Sequence, residues 1–321
     1  MSMNYFETKI NEEEIKLQLK VNKDKINALK LLLENKSVVD IENDLELLSN
    51  ISEIVFDKKR EFIIYEPEFI LNRAQQRIRK IFSKIGKRKV KEYLDIGCGC
   101  GQYPKAMHNL YGIKSVGIDI YKNNMWETFL KGSNGKLSYE VQDITYKKEG
   151  FEQYDLVSSF CAFEHFQHPR LMLESMGKFV KKNGYLYILF APIYNSTDGY
   201  HMYRHIQAPW YHLLFSEETC KNFYKKNNIE KESLANNFNK TSAFDFFLIF
   251  TGFKGLKLKA INPIWNFRHY WFYHSFPELF KEYNTNELFI NGFEVVYQNK
   301  SDKIVLFERL KAIIYLILKL L

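Results

Sequence analysis

The chain has 321 residues, of which 46% are hydrophobic and 26% charged, and its formal net charge at pH 7 is +8. This composition is ordinary for a soluble globular protein and excludes a chain too polar to bury a sizeable core. The positive charge suits an anionic substrate, nucleic acid or a membrane surface without choosing among them, and basic runs such as residues 84–91 are typical of a solvated face.

The cysteines exclude the common zinc motifs, because they form no CxxC pair and have no partner histidines at zinc spacing. They stand at Cys98, Cys100, Cys161 and Cys220. The first residues lack a cationic start followed by an apolar run, so no signal peptide is expected. A reducing cytoplasm is therefore the predicted location, with the inner face of the membrane as an alternative.

Residues 1–65 are predicted to form a helical extension before the core. Residues 8–60 contain no Gly or Pro, and apolar residues recur at helical spacing, as at Leu45, Leu48 and Val55. The pattern indicates two or three helices. The sequence leaves three roles open for them, namely covering the active site, forming a dimer contact and packing as a simple extension.

Residues 66–300 are predicted to form an α/β domain, because short β-rich runs alternate with helical runs from Lys91 onward. The strand-like runs are Glu92–Ile96, Ser115–Ile120, Leu137–Val141, Asp155–Ser159 and Tyr185–Phe190, and the clearest helix is Pro169–Lys182. We expect a seven-stranded, mostly parallel sheet with helices on both faces. Right-handed crossovers would place the carboxyl ends of its strands at one edge, where ligands bind.

Two later runs supply the sixth and seventh strands. Residues 250–258 and 288–296 each have the pattern of a helix end, a glycine at the C-cap and then a strand. Two insertions remain, 191–241 after the fifth strand and 262–284 after the sixth, and both are rich in aromatic residues. These rings can stack on a substrate, with Arg204 and Arg268 pairing with phosphate, or they can simply form the core of a lid.

The most specific stretch is Tyr93–Gly101, where a predicted strand runs directly into a glycine-rich turn. Without side chains, Gly97 and Gly99 can turn tightly and let a ligand approach the backbone, and the amides of the next helix would point at its polar groups. Asp119 ends the second strand, where a carboxylate can accept both hydroxyls of a ribose. Asp143 ends the third strand.

As a series, these motifs resemble those of class I S-adenosylmethionine-dependent methyltransferases, most closely the branch of quinone-biosynthesis, sugar and small-molecule enzymes. The matching stretches are DIGCGCG, GIDI, QDI, YDLVSSFCAFEHFQHP and KKNGYLYILFAP. The resemblance covers residues 91–192 well, and it implies a Rossmann-like fold with S-adenosylmethionine as the cofactor. By this resemblance, the methionine moiety would lie at Asp95, Gly97 and Gly99, and the ribose at Asp119 and Ile120. The adenine would lie at Asp143 and Ile144, and Phe160 would lie near the cofactor. A nicotinamide-binding domain is disfavoured, because the turn is GxGxG and not GxGxxG.

Methyl transfer is an in-line displacement, so alignment supplies most of the catalysis, and an oxygen acceptor also needs a base. His165 follows the fourth strand and by the family geometry faces the methyl group. His201 and His205 in the first insertion are further candidates, and without a carboxylate at clear spacing no metal is expected for them. The structural alternative is that Glu164 and His165 only brace their loop.

The predicted reaction is methylation of an oxygen on a small polar acceptor that carries phosphate, such as a nucleotide-activated sugar or a surface-glycan precursor. An RNA methyltransferase is the second hypothesis. The fourth strand ends in Ser-Ser-Phe-Cys rather than the Asn/Asp-Pro-Pro-aromatic motif of exocyclic-amine methylation, and no RNA-binding module is recognisable. A non-catalytic cofactor-binding subunit is the third.

Residues 301–321 are predicted to form an apolar C-terminal helix. The stretch 304–321 is too short and too charged to span a bilayer, and its narrow polar stripe leaves a wide apolar surface to bury. We expect docking on the domain or a homo-oligomer first, and contact with a membrane surface second.

Overall fold

A computed structural model describes residues 10–56, 66–86, 90–146, 152–202, 205–229 and 238–300. The predicted C-terminal helix at 301–321 lies outside the described residues, as do Tyr203 and Arg204 of the first insertion. Within the described ranges, no helix is long and apolar enough to cross a membrane.

Residues 10–56 form four helices before the α/β domain, where two or three were predicted. They are α1 (Glu12–Val21), α2 (Lys23–Leu33), α3 (Val38–Glu42) and α4 (Leu45–Val55). The side chains of Asn11, Ser37 and Asp44 each accept a hydrogen bond from a backbone amide of the first turn, which satisfies an otherwise unpaired donor and fixes where the helix begins. The predicted periodicity holds in α4, where Leu48 and Val55 are buried.

A seven-stranded sheet lies at the centre of the α/β domain. Its strands are β1 (Glu92–Ile96), β2 (Lys114–Asp119), β3 (Leu137–Val141), β4 (Tyr154–Phe160), β5 (Val180–Phe190), β6 (Lys257–Trp265) and β7 (Ile290–Gln298). Their order across the sheet is β3-β2-β1-β4-β5-β7-β6, and β7 runs antiparallel to both of its neighbours. In the part of the sheet that runs from β3 through β2, β1 and β4 to β5, each strand is parallel to its neighbour, which confirms the predicted fold.

Helices pack on both faces of this sheet, because alternate side chains of each strand point to opposite sides. The remaining helices are α5 (Pro67–Ile85), α6 (Gln102–Tyr111), α7 (Met125–Leu130), α8 (Pro169–Lys178), α9 (Tyr211–Leu214), α10 (Glu217–Lys226), α11 (Ala243–Gly252), α12 (Tyr270–Ser275) and α13 (Thr285–Phe289). Side chains of α5 and α6 share a core with Tyr93 and Leu156. Side chains of α8 and α11 share the opposite core with Leu94 and Val157.

Two details of the sequence prediction are wrong. Helix α8 ends at Lys178, not Lys182, and β5 then begins at Val180 rather than Tyr185. Gly292 was predicted to cap a helix, but α13 ends before it and the glycine lies inside β7. A Cβ at Gly292 would collide with the carbonyl oxygen of Phe190, so glycine permits the close approach of β5 and β7 there.

The N-terminal helices and both insertions share a core of their own. Leu29 and Leu48 of the extension pack in one buried cluster with Trp210 of the first insertion and Trp271 and Phe272 of the second. Trp210 is fully buried, and other aromatic residues are partly buried against this cluster, namely Tyr194, Trp265, Phe267, Tyr270 and Tyr273. Most of the insertion rings therefore serve packing, which was the lid-core alternative.

Candidate functional site

The glycine-rich turn leaves β1 with three residues in the left-handed region. Gly97, Gly99 and Gly101 have φ angles of 69°, 53° and 85°, which residues with a Cβ rarely adopt. Gly97 has a second requirement, since a Cβ there would lie 2.6 Å from the Cβ of Ala162 in the loop after β4. The turn thus brings β1 and the end of β4 close together without an intervening side chain.

Two stacked aromatic rings hold the glycine turn from the side of β3. Trp126 and Tyr139 lie with their ring centroids 5.2 Å apart and nearly parallel. The Trp126 indole Nε1 donates to the carbonyl oxygen of Gly99 at 2.8 Å, and the Tyr139 hydroxyl donates to that of Gly101 at 2.7 Å. These two hydrogen bonds connect the turn to α7 and β3.

The carboxylate of Asp119, at the end of β2, is tied to the same turn. Its Oδ2 accepts from the backbone amide of Gly99 at 2.8 Å, and its Oδ1 accepts from the amide of Tyr121 at 3.2 Å. An ionised carboxylate has about four acceptor positions, so both oxygens can still accept from a ligand. This arrangement places the predicted ribose-binding group directly beside the glycine backbone.

A cleft of about 350 Å³ opens where β1, β2 and β3 end. Five of the eight predicted cofactor residues line it: Gly97, Asp119, Ile120, Asp143 and Ile144. Ile120 is 54% exposed and Ile144 is buried, so the cleft offers an apolar surface between the two carboxylates. The Oδ1 of Asp143 accepts from the backbone amide of Thr145 at 2.9 Å and also from the Thr145 hydroxyl, which orients this carboxylate.

The other three predicted cofactor residues do not line this cleft. Gly99 lies at the turn and contacts Asp119, as described above. Asp95 is fully buried beneath the turn, where it accepts from the Ser158 hydroxyl at 2.6 Å. Burial, together with the nearby charge of Asp119, raises the pKa of Asp95 to about 8. Phe160 is buried against Tyr103, with ring centroids 3.7 Å apart, in the core beneath α5 and α6.

Several cleft residues escaped the sequence analysis: Gln142, Thr145, Phe166, Gln167, His168 and Met172. Each lies within a few residues of Asp143 or His165, and the only available signal was that proximity. His165 itself lines the cleft, so the loop after β4 forms one wall of it.

Asn239, at the far end of the first insertion, fixes the loop after β4. Its side-chain amide donates to the carbonyl oxygens of Phe163 and Phe166 at 2.8 and 2.9 Å. Its backbone amide donates to the carbonyl oxygen of Glu164 at 3.0 Å. Three hydrogen bonds from one residue hold the Glu164–His165 loop in place.

Two of the three predicted catalytic histidines lie together. The rings of His165 and His201 are stacked with centroids 5.3 Å apart, and Glu164 lies beside them with its Oε1 3.8 Å from the His201 Nε2. His205 is exposed and is not part of this group. Sequence spacing suggested His201 and His205 as a pair, but the fold pairs His201 with His165.

Burial governs the protonation of this group. It raises the pKa of Glu164 to about 8 and lowers the pKa of His201 to about 3, with the nearby His165 acting in the same direction on His201. Both side chains are therefore held toward their neutral forms near pH 7. Their 3.8 Å contact is not an ion pair at that pH.

Arg268, predicted to pair with phosphate, already has a partner. Its Nη1 lies 3.6 Å from the Asp198 Oδ2, and Arg268 is half exposed. A phosphate would have to compete with that carboxylate. Asp198 also accepts from Asn266, so this ion pair links the two insertions.

The model of the methyltransferase domain family matches residues 69–243, more than half of the chain. The chain belongs to this family. Among curated relatives, the ubiquinone biosynthesis O-methyltransferase of Dictyostelium discoideum is 29% identical over 30% of this chain and 33% of its own length. The phosphoethanolamine N-methyltransferase of Plasmodium falciparum is 31% identical over 41% of this chain and 50% of its own length. The chain thus spans a third to a half of the length of these relatives.

Solved methyltransferase structures share less sequence identity with this chain than these curated relatives do. The N-methyltransferase NodS of Bradyrhizobium japonicum shares 14% identity and a TM-score of 0.36, over 74% of this chain and all of that one. The predicted class I S-adenosylmethionine-dependent methyltransferase family is confirmed, and S-adenosylmethionine is the cofactor of that family. The cleft fits it, because the bare glycine backbone admits close approach and the Asp119 carboxylate lies beside it.

Proposed function

We propose that the protein transfers the methyl group of S-adenosylmethionine to an oxygen atom of a small polar acceptor. The observation that carries the proposal is the convergence of Gly97, Asp119 and Asp143, from three different strand ends, on one cleft. When bound, the cofactor supplies an electrophilic methyl group on a sulfonium. Asp119 would accept the ribose hydroxyls, and Asp143 with Ile144 would hold the adenine.

The loop after β4 would form the acceptor side of the site. His165 lines the cleft, and the three hydrogen bonds of Asn239 fix the loop that carries it. Alignment of the acceptor with the methyl group accounts for most of such a rate enhancement, and His165 would take up the proton that the acceptor oxygen loses. His201 stacks on His165 and is the second candidate for this role.

The names of the relatives and the charge of the chain bear on the class of acceptor. The matched relatives are named for ubiquinone biosynthesis and for phosphoethanolamine, so their printed names include both oxygen and nitrogen acceptors. The net charge of +8 favours an anionic acceptor. A nucleotide-activated sugar or a surface-glycan precursor is anionic and can also accept a methyl group on oxygen, since it combines phosphate with hydroxyl groups.

The proposal is tested by incubating the full chain with methyl-labelled cofactor and separate pools of nucleotide sugars, quinone precursors, phospho-amines and RNA. We expect label in the nucleotide-sugar pool, and no label with the Asp119→Ala variant at the same limiting cofactor concentration. Label in RNA alone would establish the RNA methyltransferase instead. Cofactor binding without label in any pool would favour the non-catalytic subunit.

A further inference from the structure

We propose that Glu164, His165 and His201 form a binding site for a divalent transition-metal ion, with Zn²⁺ as the expected occupant. One possible ligand atom from each of the three residues lies within 4.8 Å of the other two. Binding of the ion can be measured without any methyl acceptor, whereas the role given to the ion below rests on the proposed function.

The carboxylate of Glu164 is the first reason. Its side chain is 1% exposed, and neither of its oxygens has a hydrogen-bond partner among the described residues. Leaving a buried polar group without a hydrogen-bond partner destabilises the folded protein, and a charged group does so more strongly. An ion bound at these oxygens would compensate that destabilisation, and no described hydrogen bond competes for them.

The backbone of His201 is the second reason. This residue has a φ angle of 56°, in the left-handed region that is unfavourable for a residue with a Cβ. Its amide donates to the carbonyl oxygen of Asp198 at 3.1 Å, which closes a tight turn. The strained turn brings the ring to Glu164 and His165, and strain of this kind concentrates at functional sites.

Preorganisation of the other two ligands is the third reason. Glu164 and His165 are consecutive in the sequence. Asn239 donates hydrogen bonds to the backbone carbonyl oxygens of Phe163, Glu164 and Phe166. The ligands therefore come from two segments that the fold fixes independently. Metal sites need such support, because loss of the groups that orient the ligands typically weakens metal affinity by about 10–100-fold.

The donor set selects the kind of ion. Two imidazoles and one carboxylate are the protein ligands in one group of catalytic zinc sites, whereas Mg²⁺ and Ca²⁺ prefer oxygen ligands. Bonds of about 2.0–2.1 Å in a tetrahedral site separate ligand atoms by about 3.3 Å. The three ligand atoms lie within 4.8 Å of one another, and those of Glu164 and His201 are 3.8 Å apart, so the distances exceed this spacing by about 1.5 Å or less.

Three protein ligands leave the fourth position of such an ion open. Because His165 lines the cleft, that position would face the acceptor side of the proposed site. An acceptor oxygen bound there would lose its proton more readily, as water does on zinc, where its pKa falls to about 7. The ion would thus supply the activation that was assigned above to a histidine base.

The test uses the full chain, stripped of metal with a chelator and dialysed. We expect calorimetry to show one Zn²⁺ bound per chain, with affinity at least about 100-fold weaker in Glu164→Gln and in His201→Ala. The matched control is His274→Ala, at an exposed histidine outside the cluster, which should bind as the wild type does. Addition of Co²⁺ should give the visible absorption of a four- or five-coordinate N/O site, and His201→Ala should abolish it.

Thermal unfolding identifies any variant that fails to fold. If Glu164→Gln or His201→Ala fails, His165→Asn takes its place, because it also removes one ligand. Absence of stoichiometric Zn²⁺ binding in the wild type would overturn the site. So would wild-type affinity in folded Glu164→Gln and His201→Ala. Titration of the same samples with S-adenosylmethionine reports separately on the cofactor cleft, so failure of the metal site and failure of the proposed function remain distinguishable.

Discussion

The proposed site has a cofactor half and an acceptor half, and the two are built in different ways. The cofactor half consists of the strand ends at Gly97, Asp119 and Asp143, and its two carboxylates accept hydrogen bonds from backbone amides two to twenty residues away. The acceptor half joins Glu164 and His165 to His201 and Asn239, which lie 36 to 75 residues further along the chain. The first half is a property of the α/β fold, and the second is a property of this chain's insertion.

This contrast has a consequence for mutation. Changes in the cofactor half should alter the affinity for S-adenosylmethionine, whereas changes in the acceptor half should alter turnover with little effect on that affinity. A variant that affected both quantities equally would show that the two halves are one energetic unit.

The largest effect is expected at His165. His165→Ala should lower kcat by about 10²–10⁴-fold, whether the imidazole acts as a base or as a metal ligand, because either role serves the acceptor. The dissociation constant for S-adenosylmethionine should stay within about twofold of the wild type. Steady-state kinetics and calorimetry on the same preparation measure the two quantities, with His274→Ala as the control. Nearly full kcat would remove His165 from the chemistry, and loss of cofactor binding would make it a structural brace.

The glycine turn should give the next effect. Gly97→Ala combines a left-handed φ with a collision against Ala162, so we expect a loss of about 2–4 kcal/mol in unfolding free energy together with weaker cofactor binding. Gly99→Ala meets nothing within 4 Å and should cost only the backbone penalty of about 1–2 kcal/mol. Chemical denaturation of both variants measures the difference. Equal losses would mean that the approach of Gly97 to the β4 loop is unimportant.

The sequence predicted the cofactor half because local rules determine it. Strand ends, a GxGxG turn and acidic residues after β2 and β3 follow from hydrophobic alternation and backbone requirements that hold over a few residues. Five predicted residues accordingly line one cleft. Phe160 shows the limit of this reasoning, because its position at the end of β4 was correct while its ring packs on Tyr103 beneath the helices.

The acceptor half was not predictable in the same way. Nothing in the spacing of Glu164 and His201 indicates that a turn with a left-handed residue brings them to 3.8 Å. Helical spacing instead paired His201 with His205, but neither of these two residues lies in a helix. The contact of Asn239 with the β4 loop depends on how the whole insertion folds back, which requires tertiary structure.

A smaller effect is expected at Asp119, whose carboxylate contacts both the turn and the cleft. Asp119→Ala should weaken S-adenosylmethionine binding by about 1–3 kcal/mol, the range for charge-assisted hydrogen bonds. Asp119→Asn is the matched variant, since it keeps the shape and removes the charge. Calorimetry that found unchanged affinity in a folded Asp119→Ala protein would contradict the ribose assignment.

The smallest effect concerns the ring that supports the turn. Tyr139→Phe removes only the hydroxyl that donates to the Gly101 carbonyl, so we expect a loss of about 0.5–1.5 kcal/mol in unfolding free energy and a few-fold weaker cofactor binding. Tyr121→Phe, at a side chain that is 75% exposed, is the control. If the two phenylalanine variants behave alike, the turn does not depend on this hydrogen bond.

The central claim is that the cleft at the ends of β1, β2 and β3 takes S-adenosylmethionine and not a dinucleotide. It is tested most directly by titrating the wild-type chain in a calorimeter with S-adenosylmethionine and, separately, with NAD⁺. We predict one site per chain for S-adenosylmethionine and no heat of binding for NAD⁺. Binding of NAD⁺ in the absence of any S-adenosylmethionine binding would contradict the assignment of the cleft.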